Sequence, residues 1–304
     1  MSDNPSDRPA DTRSICAVVV THHPDMDFPA RLARVLSQVG AAVVVDNGSS
    51  APELEMLRRA TDRATAAVLI ENSENLGIAR ALNIGVHHAQ SLGHAWALLL
   101  DQDTLVDTDM VEQLLTVQAS VVTDRVAAIG SRFRDTSGQT VEPIRLSAQG
   151  EHWQEMESVI TSGCLLSLRA YAAIGPFRDD FFIDYVDTEF CFRARAAGFR
   201  IIMTRAALMS HSVGAATSHT MLGGKTWTTN HSAERRYYIA RNNTVMLREY
   251  AGFGRGHWLW KSLTRTFRLT KRIAFFETDK ISKIVAAWQG WRDALRGRMG
   301  PRRG

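Results

Sequence analysis

Ala97-Leu98-Leu99-Leu100-Asp101-Gln102-Asp103 changes character within one residue: four apolar side chains end in two carboxylates separated by a glutamine. An uninterrupted apolar run is what a strand covered on both faces requires. In an open parallel sheet, ligands bind beyond the carboxyl ends of the strands, so acids placed there stand at a binding edge. Carboxylates at i and i+2 supply hard oxygen donors for one divalent cation and, through it, for a phosphate. Taken alone, the triplet is equally a turn, with Asp101 capping it and Asp103 in solvent.

Upstream, the same pattern recurs. Ile15 to Val20 stops at Thr21-His22-His23-Pro24, Ala41 to Val45 at Asp46-Asn47-Gly48-Ser49-Ser50, and Ala66 to Ile70 at the polar stretch 72–77. Helical periodicity fills the gaps at Phe28–Val39, Pro52–Thr61 and Ile78–Gln90, and Trp96–Leu100 is the fourth strand. This alternation predicts an α/β fold, a doubly wound and mainly parallel sheet with right-handed crossovers. Its polar strand ends then become neighbours along one edge.

Those ends carry candidate ligands. Asp46 can accept the imide N–H of a pyrimidine or a ribose hydroxyl, or it can close an Asx turn. Asn75-Leu76-Gly77 places Gly77 at a helix N-terminus, which suits an anion. Arg80 and Asn83 follow on one helix face, where Arg80 either reaches a base or phosphate or stays solvated. Neither G-x-G-x-x-G nor G-x-x-x-x-G-K-[ST] is present, which argues against a dinucleotide oxidoreductase and a P-loop nucleotidase.

Beyond Asp103 the alternation weakens. Asp107–Ser120 reads as a helix, Val126–Phe133 as a strand and 134–156 as loop. Ser158–Leu168 is strand-like, with Ser162-Gly163 suggesting a bulge or a close approach to ligand. Phe181–Gly198 is an acidic loop entering a helix, and Asp187 at its start has N-cap character. Phe199–Met209 is a strand leading to His211, which is either a metal or diphosphate contact or a structural residue. The Gly-, Thr- and Ser-rich 215–231 reads as a loop able to act as a lid, and Ser232–Tyr250 as a helix.

The net charge of +4 is uneven: from Gly254 onward there are 13 Lys+Arg against 3 Asp+Glu, together with Trp258, Trp260, Trp288 and Trp291. Such a segment suits an anionic membrane surface, packing against the catalytic domain or another copy, or, least, nucleic acid. Cys16, Cys164 and Cys191 lack metal spacing and read as buried thiols in a reducing compartment. No apolar run is long enough to span a membrane. The expected organisation is a disordered 1–14, a catalytic domain over 15–250 and a basic helical extension over 251–304. The expected location is cytoplasmic, with peripheral attachment to the inner face of the membrane.

In this order, Thr21-His22-His23-Pro24, Val45-Asp46-Asn47-Gly48-Ser49, Asn75-Leu76-Gly77 with Arg80 and Asn83, Leu100-Asp101-Gln102-Asp103, Ser162-Gly163, Phe182-Ile183-Asp184-Tyr185-Val186-Asp187, His211 with Gly214, and Tyr238 with Arg241-Asn242 resemble the inverting family 2 glycosyltransferases of GT-A fold. Gln102 and the F-I-D-Y-V-D loop resemble the rhamnosyltransferase branch. The resemblance implies a single Rossmann-like domain acting on a nucleotide-diphospho-sugar, dTDP-rhamnose first, with UDP- and GDP-sugars as alternatives. It implies a saccharide or polyprenyl-linked acceptor in surface polysaccharide synthesis. Asp103 and Asp101, with His211, would hold Mg²⁺ or Mn²⁺. Thr21, Asp46, Asn75, Gly77, Arg80, Asn83, Asp101, Gln102, Gly163 and Arg241 would line the donor site, and Asp187 would be the catalytic base. Two departures stand in the acidic loop: Val186 replaces the usual Glu, and Glu189 the later Asp. A nucleotidyltransferase would want a Gly-rich basic loop after the first strand, which Thr21-His22-His23-Pro24 is not. Asp103 and Asp187 argue against a non-catalytic scaffold.

Overall fold

β1 (Ile15–Thr21) is buried at every residue, between two parallel neighbours, β2 (Ala41–Asn47) and β4 (Trp96–Asp101), in the computed structural model of the chain. The structure describes residues 11–123, 125–135, 150–210, 217–221, 224–228, 230–250 and 276–302, together with Thr264, Lys271 and Ile273. β3 (Ala67–Asn72) runs parallel on the far side of β2. Ile15, Ala17 and Val19 of β1 join Phe28, Leu32 and Val35 of α1 (Phe28–Leu36) in one core cluster. The other face of β1 meets α3 (Ile78–Ser91), where a Cβ on Gly85 would lie 2.3 Å from Val18 Cγ1. Burial on both faces is why β1, β2 and β4 are apolar up to their ends, and each large aliphatic so buried contributes about 1.5–3 kcal/mol. α2 (Ala51–Asp62) starts at a capping box, with Glu53 Oε2 accepting the Ser50 N–H at 2.7 Å.

The second half of the sheet is mixed. β5 (Leu105–Val106), α4 (Met110–Ser120), β6 (Val126–Arg134), β7 (Trp153–Glu155), β8 (Cys164–Ser167), α5 (Leu168–Ile174), α6 (Val186–Ala196) and β9 (Arg200–Ser210) complete the nine-stranded order β3-β2-β1-β4-β8-β6-β9-β5, with β7 on β9. β8 is antiparallel to both β4 and β6. The expected strand over 158–168 shrinks to four residues: a turn closed by the Cys164 N–H on the Thr161 carbonyl, with Gly163 at φ +74°, delays its start, and the Ser167 hydroxyl, accepting the Ala170 N–H, begins α5.

The chain divides into two compact units: one of Met1–Arg178 and Asp187–His211, the other of Asp179–Val186 and Ser212–Gly304. In the second unit α7 (Ala233–Tyr250) packs with α8 (Lys280–Leu295). Gly290 of α8 approaches so closely that a Cβ would stand 2.2 Å from the Tyr237 carbonyl oxygen. The stretch read as a loop over 215–231 contains an antiparallel pair, β10 (Thr217–Met221) and β11 (Gly224–Thr228). Its β-branched threonines favour that conformation. Residues 11–14 are ordered as well: Thr12–Ser14 form one 3-10 turn capped by Asp11, while 1–10 lie outside the described residues. Among the described residues no helix is long and apolar enough to cross a membrane.

Candidate active site at the sheet edge

The register brings the polar strand ends together: Thr21 lies opposite Asp46, and Val20 opposite Asp101. The edge is then knitted by side chains. Asp46 is fully buried. Its Oδ1 accepts the hydroxyls of Thr21, at 3.0 Å, and Ser49; its Oδ2 accepts the N–H groups of Gly48 and Ser49 at 3.1 and 2.9 Å. Both oxygens are engaged, so Asp46 is the Asx turn, and a direct contact to a base would have to displace one of these bonds. The His23 N–H donates to Ser49 Oγ at 2.9 Å, and the His23 ring meets Glu53 at 2.7 Å. That contact, with two bonds from Ser50, holds the Glu53 carboxyl down at about 2.

The acid triplet is a turn as well as an edge. Asp101, Gln102 and Asp103 are half-buried, and the Thr104 N–H donates to the Asp101 carbonyl at 3.2 Å. Ser162 Oγ accepts the Asp101 N–H at 3.3 Å and shares a 2.5 Å hydrogen bond with Thr104 Oγ1. Gln102, expected at the donor, clasps the backbone of one residue from both sides. Its Oε1 accepts the His22 N–H at 2.7 Å and its Nε2 donates to the His22 carbonyl at 3.0 Å. An amide spent in this way positions the β1 loop. Gly163 has φ +74°, and a Cβ there would stand 2.4 Å from Met209 Sδ. Its glycine is therefore explained by close packing and backbone conformation.

On the flank, Asn75 Oδ1 accepts from Asn47 Nδ2 and from the Gly77 N–H, both at 2.9 Å. Gly77 caps α3, and Arg80 is exposed in its first turn. Asn83, expected at the donor, has partners inside the fold. Its Oδ1 accepts the Tyr171 hydroxyl at 2.7 Å and the Phe177 N–H at 3.0 Å, and its Nδ2 donates to the Phe177 carbonyl at 2.8 Å. The side chain is buried and holds the 171–177 segment, because a buried amide must find partners at both ends.

Asp187 is the second residue of α6, inside its first turn, where a carboxylate complements the helix dipole. Its Oδ1 accepts the Thr188 N–H at 2.6 Å and the Thr188 hydroxyl at 3.2 Å. Burial pushes the Cys164 thiol well above its ordinary range, and the Cys191 thiol and the Asp187 charge act in the same direction. Asp187 thus stands within electrostatic reach of Cys164, which pairs with Leu99 of β4. Glu189 is structural: buried, it forms a two-pronged pair with Arg193 at 2.7 and 3.0 Å. Arg193 also donates to the carbonyls of Ile174 and Pro176 at 2.9 and 2.7 Å. All three cysteines are buried and free.

Arg241, expected at the donor, lies in the second unit. It is fully buried, where desolvation lowers its pKa. It donates to the carbonyls of Asp180 and Phe181, both at 2.9 Å, and to that of Gly300. Asn242 Nδ2 donates to the carbonyls of Phe181, Ile183 and Asp184 at 2.8–2.9 Å. The loop they hold contains Phe182, Asp184 and Tyr185 at φ 64–65°. Such conformations cost on the order of 1–3 kcal/mol each in non-glycine residues and persist when surroundings over-determine them. Asp184 is further paired to Arg235 at 3.2 Å. Asn242 was legible only as part of a motif, and nothing in the sequence points to its three carbonyls.

The paired carboxylates of the triplet form an oxygen donor set that fits a hard divalent cation. Among the described residues no group of three His, Cys, Asp or Glu is assembled as a metal site. The expected third ligand, His211, lies outside the described residues; Ser210, the preceding residue, pairs with Leu105, two residues past Asp103.

A family model described as glycosyl transferase family 2 matches residues 17–174. The chain belongs to glycosyl transferase family 2. The matched span of this family 2 glycosyltransferase holds the strand-edge residues and Gly163, and ends before Asp187. The chain is 26% identical over 257 residues to the dTDP-rhamnosyl transferase RfbF of Shigella flexneri, covering 78% of this chain and 80% of that protein. It superposes on S. aureus TarS 1-349 in complex with UDP with a TM-score of 0.59 at 14% identity, covering 93% and 81% of the two chains. The mannosyltransferase PcManGT from Pyrobaculum calidifontis, in complex with GDP-Man and Mn²⁺, gives a TM-score of 0.58 at 15% identity, covering 97% and 89%. The fold is the expected GT-A type, an α/β nucleotide-sugar transferase architecture.

Proposed function

We propose that this glycosyltransferase moves a sugar, best read as L-rhamnose from dTDP-rhamnose, to a hydroxyl of a saccharide or polyprenyl-linked acceptor in surface polysaccharide synthesis. The reaction is a single inverting displacement at the inner face of the membrane. The observation that supports this reading is the placement of the half-buried Asp101 and Asp103 where β4 ends at the sheet edge, beside Thr21 and Asp46 on the neighbouring strands. Identity to RfbF and the D-Q-D triplet support the donor assignment.

In this reading Asp187 takes the proton of the acceptor hydroxyl as that oxygen attacks the anomeric carbon, and the nucleoside diphosphate leaves from the opposite face. Asp103 and Asp101, with His211, would hold Mg²⁺ or Mn²⁺, which when bound neutralises charge on the departing diphosphate. Arg80, exposed at the start of α3, meets the base or phosphate. Thr21, Asp46, Asn75, Gly77 and Gln102 act by fixing the shape of the edge, so that the donor binds to a preformed surface.

A thermal-shift screen of UDP-, dTDP- and GDP-sugars, each with and without Mn²⁺, tests the reading. dTDP-rhamnose is expected to raise the unfolding midpoint, and more so with Mn²⁺; a ligand at 100 times its Kd adds about 2.7 kcal/mol. No shift with any sugar nucleotide would overturn it.

A further inference from the structure

α8 is built inside out. The residues it buries are Lys283, Ala286, Gly290 and Ala294, a mostly small-residue stripe that lets it lie close on α7. Its large apolar side chains face away: Ile281, Ile284, Val285, Trp288, Trp291 and Leu295 are 45–80% exposed. Their spacing of three, four and seven residues makes one continuous stripe along the helix. Scattered exposed apolar residues need no explanation, but a contiguous row of six, two of them tryptophan, marks an interaction surface.

The charge around the stripe selects the occupant. Lys280, Arg296 and Arg298 are exposed at its ends, and the Arg292 guanidinium lies 5.4 Å above the Trp288 ring. The nearest carboxylate at the helix C-terminal end, Asp293, is only 15% exposed; it accepts the Tyr237 hydroxyl at 3.0 Å and lies 3.5 and 3.9 Å from Arg292 and Arg298. The other nearby acid, Asp279, stands at the helix N-cap beside Lys280. Pairing this face with a second copy of itself would set the same excess of cations on both sides of the contact. We infer that the Ile281–Leu295 face of α8 lies in the headgroup boundary of an anionic lipid surface, with its tryptophans in the apolar layer and its arginines at the phosphates. This deepens the membrane location in the proposed function by assigning it to one helix face. It does not depend on which sugar is transferred.

Co-sedimentation of the full chain with vesicles tests it, using phosphatidylcholine alone or mixed with phosphatidylglycerol, at low and raised salt. The chain is expected to pellet with the phosphatidylglycerol vesicles, to be partly released by salt, and to show a blue-shifted tryptophan emission when bound. Trp288→Ser with Trp291→Ser should weaken partitioning at least about tenfold. Its thermal midpoint should hold, because both side chains point away from α7. Sugar-nucleotide binding by the same double variant should also be unchanged, which separates this inference from the catalytic reading. Three results would each overturn it: wild-type protein left in the supernatant, a double variant that pellets as well as wild type, or a wild-type dimer that the substitutions convert to monomer without vesicle binding.

Discussion

Asp187→Asn is expected to lower sugar transfer by about 10²–10⁴-fold, the usual contribution of a positioned general base. The amide keeps the shape of the carboxylate, and its oxygen can still accept the Thr188 N–H that now lies 2.6 Å from Asp187 Oδ1. The start of α6 should therefore fold as before. What disappears is the capacity to take a proton from the acceptor hydroxyl. The loss should fall on kcat, with calorimetric affinity for the sugar nucleotide nearly unchanged, since the base meets the acceptor rather than the donor. Asp184→Asn should affect transfer far less, because that side chain is bound to Arg235. Full activity in the Asp187 variant would remove the base assignment; equal losses in both would point to the loop's shape instead.

Glu277→Ala should strongly destabilise the second unit. Glu277 is 3% exposed and stands between two buried cations. Arg236 reaches one carboxylate oxygen, and Lys283 Nζ reaches the other at 3.1 Å. Lys283 has one further partner, Asn230 Oδ1, at 2.6 Å. Desolvation already lowers the Arg236 pKa, and the Glu277 charge opposes that. Truncating Glu277 leaves two cations inside the protein without their counter-charge, a change that costs about 3–5 kcal/mol. Glu277→Gln should cost nearly as much, because it keeps the volume and removes the charge. Urea unfolding followed by tryptophan fluorescence checks both, and a loss below about 1 kcal/mol would show that the triad contributes little.

The first half of the fold was legible because burial leaves a simple trace. β1, β2 and β4 are covered on both faces, so their sequences are apolar and break off where the sheet edge begins. The polar residues at that edge were legible by position and less so by role. Asp46, Gln102 and Asn83 were expected to face a donor, and each is engaged with partners inside the fold. Whether a polar side chain turns outward or inward depends on which backbone groups lie opposite it. For Asn83 those groups are at Phe177, which its own helix does not reveal. Arg241 is a similar case: it donates to carbonyls of the loop at 180–181, which its own helix does not reveal. The boundary expected at 250 followed composition, which carries no trace of the close approach of α7 and α8 at Gly290. Asp187 was identified by resemblance, and the helix start explains its N-terminal character without making it the cap.

The central claim is that the Asp101-Gln102-Asp103 edge binds the diphosphate of a sugar nucleotide through a divalent cation. The most direct measurement is calorimetric titration of the nucleoside diphosphate into wild type and Asp103→Asn, each with and without Mn²⁺. Wild type should bind at least about tenfold more tightly with Mn²⁺, a gain of about 1.4 kcal/mol, and the variant should lose that increment while still binding weakly. An increment that survives intact in Asp103→Asn would contradict the claim.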